Sequence, residues 1–117
     1  MRSTWSFFSA GRVLFGCGAV REIGEAVRRL AVNRVLVVTD AVLDRVGLVA
    51  QVVAPLRGAG LTVEVFAGGE PEPSFACADA AIAAAQRFRP DALIGLGGGS
   101  NMDLAKIVAG VITHGGH

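Results

Sequence analysis

The sequence of 117 residues has only two cysteines, Cys17 and Cys77. They are too few for a disulfide framework and lack metal-ligand spacing, so reduced thiols in a cytoplasmic chain are expected. Charge of one sign is also missing. A net charge of +1 gives no reason to expect nucleic acid or an anionic membrane as partner. No apolar run is long enough to span a bilayer. The N-terminus carries Arg2, a mixed polar and aromatic stretch, then Arg12, without the continuous apolar core of a signal peptide. Histidine is scarce too. His114 and His117 fall in a glycine-rich tail just after the last helical pattern, and solvent exposure is expected of them rather than metal ligation. No low-complexity tract, sequence repeat or internal linker interrupts the chain.

What is present is apolar. Hydrophobic residues make up 52% and charged residues 18% of a chain that is one domain or part of one. Two causes fit. Parallel strands buried on both faces read as unbroken apolar runs, and some of the surface can belong against a domain that this sequence does not contain.

Two short β-prone pieces, around Thr4 to Phe8 and Arg12 to Phe15, flank Ala10-Gly11 and suggest a small hairpin or edge pair. After Gly16-Cys17-Gly18 comes an amphipathic helix with Val20, Ile23, Val27 and Leu30 on one face. Arg34 to Thr39 (RVLVVT) reads as a buried strand ending in Asp40. Val46 to Gly58 is helical in pattern, with a kink or a split expected at Pro55. Gly58 and Gly60 stop that helix, and Leu61 to Phe66 (LTVEVF) gives the next strand. A loop follows through Gly68-Gly69-Glu70-Pro71-Glu72-Pro73. Ser74 then caps an alanine-rich helix to about Phe88, ended by Pro90. Strands starting near positions 34, 61 and 92, each followed by a helix, imply an α/β fold: a Rossmann-like parallel sheet with helices on both faces.

The most informative stretch is ALIGLGGGSNMDLAKIVAGVIT, Ala92 to Thr113. A buried strand, Ala92 to Leu96, runs into Gly97, Gly98 and Gly99. A helix is expected to open at Ser100, with Leu104, Ile107, Val108 and Val111 on one face. Such a turn presents unpaired amides and the positive end of a helix dipole together, which suits an anion. Glycine lets a diphosphate approach the backbone without meeting a Cβ. Ser100 and Asp103 also have capping-box spacing, so a purely structural role for both is open. Lys106, three residues after Asp103, suggests an ordinary ion pair.

The ten residues GGGSNMDLAK resemble the GGGSxxDxAK signature of the iron-containing, or group III, alcohol dehydrogenases, relatives of glycerol dehydrogenases and more distantly of dehydroquinate synthases. The resemblance covers essentially the whole chain but only about the first third of a typical member. It implies that Gly97, Gly98, Gly99 and Ser100 hold the pyrophosphate of NAD or NADP, with Asp103 near the nicotinamide end of the cleft. It implies that Asp40 contacts the adenosine ribose. A carboxylate there accepts from ribose hydroxyls and repels a 2′-phosphate, which favours NAD. An Asp closing a parallel strand can equally be a helix cap. Pro71-Glu72-Pro73-Ser74 resembles the family's x-P-x-P-T loop beside the adenosine, with Glu72 where other members often carry Asn. As a rival phosphate site, Gly16-Cys17-Gly18 has Asp40 at a suitable distance, but Arg21 occupies the third glycine position. A structural turn into the first helix is the simpler reading, and the family has an FGxG turn in that role.

In the family, hydride transfer between a small alcohol or carbonyl substrate and the nicotinamide depends on iron or zinc held by an Asp and three His in a following helical domain. Neither that domain nor the family's threonine-rich cofactor stretch is found here. Residues 1–117 are therefore expected to be a partial dinucleotide-binding domain of a cytoplasmic oxidoreductase, inactive alone, completed by a missing C-terminal domain or within a homo-oligomer. Other readings are a non-catalytic nucleotide-binding module, a truncated remnant, or a glycerol or sugar-phosphate dehydrogenase sibling.

Overall fold

A computed structural model of the chain describes residues 4–8, 12–16, 22–71 and 74–114. Strands β1 (Thr4–Phe8) and β2 (Arg12–Gly16) form an antiparallel pair in which Thr4 faces Gly16 and Phe8 faces Arg12. The expected N-terminal edge pair is thus present. Cys17, Gly18 and Val20 lie outside the described residues.

The main sheet has three parallel strands: β3 (Arg34–Val38), β4 (Thr62–Phe66) and β5 (Ala92–Gly95), in the order β4-β3-β5. Alternation along β3 separates two cores. Val35 and Val37 face helices α1 (Ile23–Arg28) and α3 (Leu48–Gly58), where Val27, Val49, Val52, Val53 and Leu56 are buried. Leu36 and Val38 face helices α4 (Phe75–Phe88) and α5 (Gly99–His114), where Ala81, Ile82, Ala85, Leu104 and Val108 are buried. The doubly covered parallel sheet expected from the sequence is therefore observed. Helix α4 also starts as expected, with Ser74 Oγ accepting from the Cys77 amide at 3.1 Å.

Five local expectations are corrected. The helical stretch before β4 divides into α2 (Ala41–Arg45) and α3, and the break falls at Gly47, with φ +88°, rather than at Pro55. Pro55 stays inside α3 because the carbonyl it leaves unbonded belongs to Gln51, an exposed residue that water can serve. Leu30 is not on the buried face of α1, which ends at Arg28; it is 64% exposed. Strand β5 is only half-buried, because the order places it at an edge with a single neighbour. Helix α5 begins at Gly99, one residue early, and His114 is its last residue rather than part of a tail. Lys106 forms no ion pair with Asp103: the ion pairs among the described residues join Glu25 to Arg28 and Arg29.

Candidate functional site

The chain leaves β3 through α2 and α3 on one face of the sheet and leaves β5 through α5 on the other, beside α4. The carboxyl ends of β3 and β5, adjacent in the sheet, therefore feed segments that diverge. Such a switch in direction opens a crevice beyond the strand ends. Here it is a cleft of about 600 Å³ lined by Asp40, Leu43, Gly69, Glu70, Gly97, Gly98, Ser100 and Asn101.

Gly97, Gly98, Gly99 and Ser100 make the turn at the end of β5. Gly97 has φ +128°, a conformation that favours glycine, and a Cβ there would collide with the Asn101 amide and lie 2.9 Å from Leu43 Cδ1. Gly98 and Gly99 differ. Neither has positive φ, and a Cβ on either would meet nothing within 4 Å. The interior gives no steric reason for glycine at these two positions, and the space beside them is open. The Gly98 carbonyl accepts from the amides of Asn101 (3.1 Å) and Met102 (3.2 Å), so it stands at the head of α5. Among the described residues, the amides of Gly99 and Ser100 have no partner, as the first turn of a helix dictates. No capping box is made either: Ser100 lies inside the first turn, and no hydrogen bond links it to Asp103.

Asp40 stands opposite, at the end of β3. Its Oδ1 accepts from the Leu43 amide at 2.9 Å and caps α2, so the structural role open from the sequence is real. Its Oδ2 accepts from Asn101 Nδ2 at 2.8 Å. The Leu43 amide first, then the Asn101 amide, hold this carboxyl below its ordinary value of 3.8. An ionised carboxylate has more acceptor positions than these two bonds use. Asp40 is part-exposed on the cleft and can still receive hydroxyl donors.

The third wall comes from the loop after β4. Gly68 bridges to Asp40, and the Gly69 amide donates to the Thr39 carbonyl at 2.9 Å. A Cβ on Gly69 would collide with Asn101 Oδ1 and lie 2.7 Å from the Thr39 oxygen. Glu70 turns back to its own loop, accepting from the Ser74 hydroxyl at 2.9 Å and the Ser74 amide at 3.3 Å, which lowers its pKa from the usual 4.5. Glu72 and Pro73 lie outside the described residues.

Of the residues singled out in the sequence, Asp40, Gly97, Gly98 and Ser100 line one cleft. Gly99 opens α5 beside them, whereas Asp103 lies further along α5, exposed and outside the cleft lining. Sequence reasoning missed Asn101, which is 3% exposed and central to the site. Its position inside the glycine-turn string was the available signal, but its partner Asp40 is brought to it only by tertiary folding.

The model of the iron-containing alcohol dehydrogenase family matches residues 10–117. Over 114 residues the chain is 40% identical to a long-chain-alcohol dehydrogenase of Geobacillus thermodenitrificans, covering 92% of this chain and 29% of that enzyme. It is 34% identical to an NAD-dependent methanol dehydrogenase of Bacillus methanolicus, covering 95% of this chain and 29% of that one. Among solved structures, it superimposes on a 1,3-propanediol oxidoreductase with a TM-score of 0.81 at 33% identity, covering 86% of this chain and 26% of the other. The chain thus spans under a third of the length of these relatives. No helix of the described residues is long and apolar enough to cross a membrane.

Proposed function

The chain belongs to the iron-containing alcohol dehydrogenase family, and on that premise we propose that it is the dinucleotide-binding portion of an NAD(P)-dependent oxidoreductase acting on a small alcohol or carbonyl compound. The observation that carries this reading is the pair of partnerless amides at Gly99 and Ser100, beside glycines whose missing side chains leave open space. A diphosphate fits that chemistry: it is anionic, it accepts several hydrogen bonds, and it must come within contact distance of the backbone. Gly97 to Ser100 hold the pyrophosphate, and Asp40 accepts from the ribose of the adenosine half. NAD is favoured, because the ionised Asp40 repels a 2′-phosphate. Asp103, exposed further along α5, is assigned to the nicotinamide end.

The bound nicotinamide supplies the hydride acceptor or donor; this chain binds and orients it. Among the described residues no three His, Cys, Asp or Glu side chains converge, so none is assigned to the iron or zinc of the family reaction. The purified chain is accordingly expected to bind cofactor without turnover. Calorimetry with NAD, NADP and ADP tests this. NAD binding more tightly than NADP and than ADP supports the dehydrogenase reading. ADP binding as tightly as NAD favours a non-catalytic nucleotide module, and no binding by any of the three refutes both.

A further inference from the structure

Asn101 lies outside the fixed letters of the GGGSxxDxAK signature, yet it is the side chain on which the three walls of the cleft converge. Its Nδ2 donates to Asp40 Oδ2 at 2.8 Å and to the Leu96 carbonyl at 2.9 Å. Both partners are acceptors only, so the amide orientation is fixed by chemistry: the NH2 faces them and Oδ1 faces Gly69. One buried side chain therefore ties the end of β3 to the end of β5 and lies against the loop after β4. Gly97 and Gly69 must both be glycine in part because any Cβ there would run into this amide.

The consequence falls on Asp40. With Oδ1 held by the Leu43 amide and Oδ2 held by Asn101, both carboxylate oxygens are tied, which restrains rotation of the group. A cap needs only the first of these bonds. The second crosses from one strand end to the next, between residues 61 apart in sequence, and adds nothing to the capping of α2. Leucine or alanine at position 101 would leave Asp40 Oδ2 free to turn towards solvent.

We propose that Asn101 is a positioning residue that aims the Asp40 carboxylate at the adenosine ribose, and so determines recognition of the ribose 2′-hydroxyl. The proposal rests on the cofactor reading above. It acts through geometry, without contact between Asn101 and the reacting atoms.

Calorimetry of the full chain with ADP, 2′-deoxy-ADP and inorganic pyrophosphate tests it, on the unsubstituted protein and on Asn101→Leu and Asn101→Ala. The unsubstituted chain is expected to prefer ADP over 2′-deoxy-ADP by about tenfold, the worth of a charge-assisted hydrogen bond. In both variants that preference falls towards unity while pyrophosphate affinity changes less than about twofold. An equal loss for all three ligands would mean that Asn101 only supports the fold, and the proposal would be wrong. An unchanged ADP preference in a folded variant would also overturn it. Absence of binding by the unsubstituted chain would instead remove the cofactor reading itself. Should both variants fail to fold, the Asn101 side-chain NH2 resonances of the unsubstituted protein decide. They should shift with ADP and much less with 2′-deoxy-ADP or pyrophosphate; equal shifts with all three would contradict the assignment.

Discussion

Two aspartates sit at opposite ends of the same sheet, and they differ in what they face. Asp91, just before β5, accepts from the amides of Asn33 (2.9 Å) and Arg34 (3.1 Å) through Oδ2. Next to it the Arg34 guanidinium donates to the Phe88 carbonyl and lies 4.2 Å from the centre of the Phe88 ring. The backbone amides of Asn33, Arg34 and Asp91 at this edge all have partners among the described residues. Asp40, at the carboxyl edge, also accepts two hydrogen bonds, but it faces a cleft beside which the amides of Gly99 and Ser100 have no partner among the described residues. An acidic residue at a strand end is therefore no guide to function by itself. The unsatisfied donors across from it are.

The largest expected effect is at the turn that leads to those amides. Gly97→Ala places a Cβ on a backbone with φ +128° and into the Asn101 amide, so it should cost about 2–3 kcal/mol in urea unfolding and abolish NAD binding. Asp40→Ala and Asp91→Ala come next and test the comparison itself. Each removes amide acceptors and should lower stability in urea unfolding. Only Asp40→Ala should weaken NAD, by about tenfold or more; a comparable loss in Asp91→Ala would erase the distinction drawn between the two edges.

Acid should act on the carboxyl edge as well. Asp40 and Glu70 both have folded-state pKa values below their ordinary 3.8 and 4.5. Each therefore contributes stability that is fully present above those ordinary values and is lost as pH falls through the folded ones. Stability from this source should be flat from neutrality down to about pH 5 and then decline. Asp40→Asn should make that decline shallower in thermal melts taken as a function of pH. The smallest change is Gly99→Ala. At the first residue of α5, with no neighbour for the new methyl, it should leave stability unchanged or raise it by about 0.5 kcal/mol. Pyrophosphate affinity should fall all the same if the diphosphate sits against the Gly99 amide, because the methyl adds bulk beside it.

The parallel sheet and its two helical layers were legible because each strand is an apolar run and each helix has its own period, signals that are local. The turn at Gly97 to Ser100 and the carboxylate at Asp40 were legible for the same reason, as strand ends marked by glycine or acid. What stayed hidden was decided between segments. Gly47 rather than Pro55 divides α2 from α3, because an exposed Gln51 carbonyl tolerates the missing bond. The half-burial of β5 follows from strand order, which no single segment encodes. Asn101 drew no attention as one polar residue near a helix start. Its meaning comes from a hydrogen bond to a residue 61 positions away.

The central claim is that a dinucleotide's diphosphate occupies the free amides of Gly99 and Ser100. Backbone 15N–1H resonances of the full chain, followed through an NAD titration, address it directly. The largest shifts should fall on Gly98, Gly99 and Ser100 and saturate together with that of Leu43, the amide tied to Asp40. Shifts confined to other parts of the chain, with those four resonances unmoved at saturation, would contradict it.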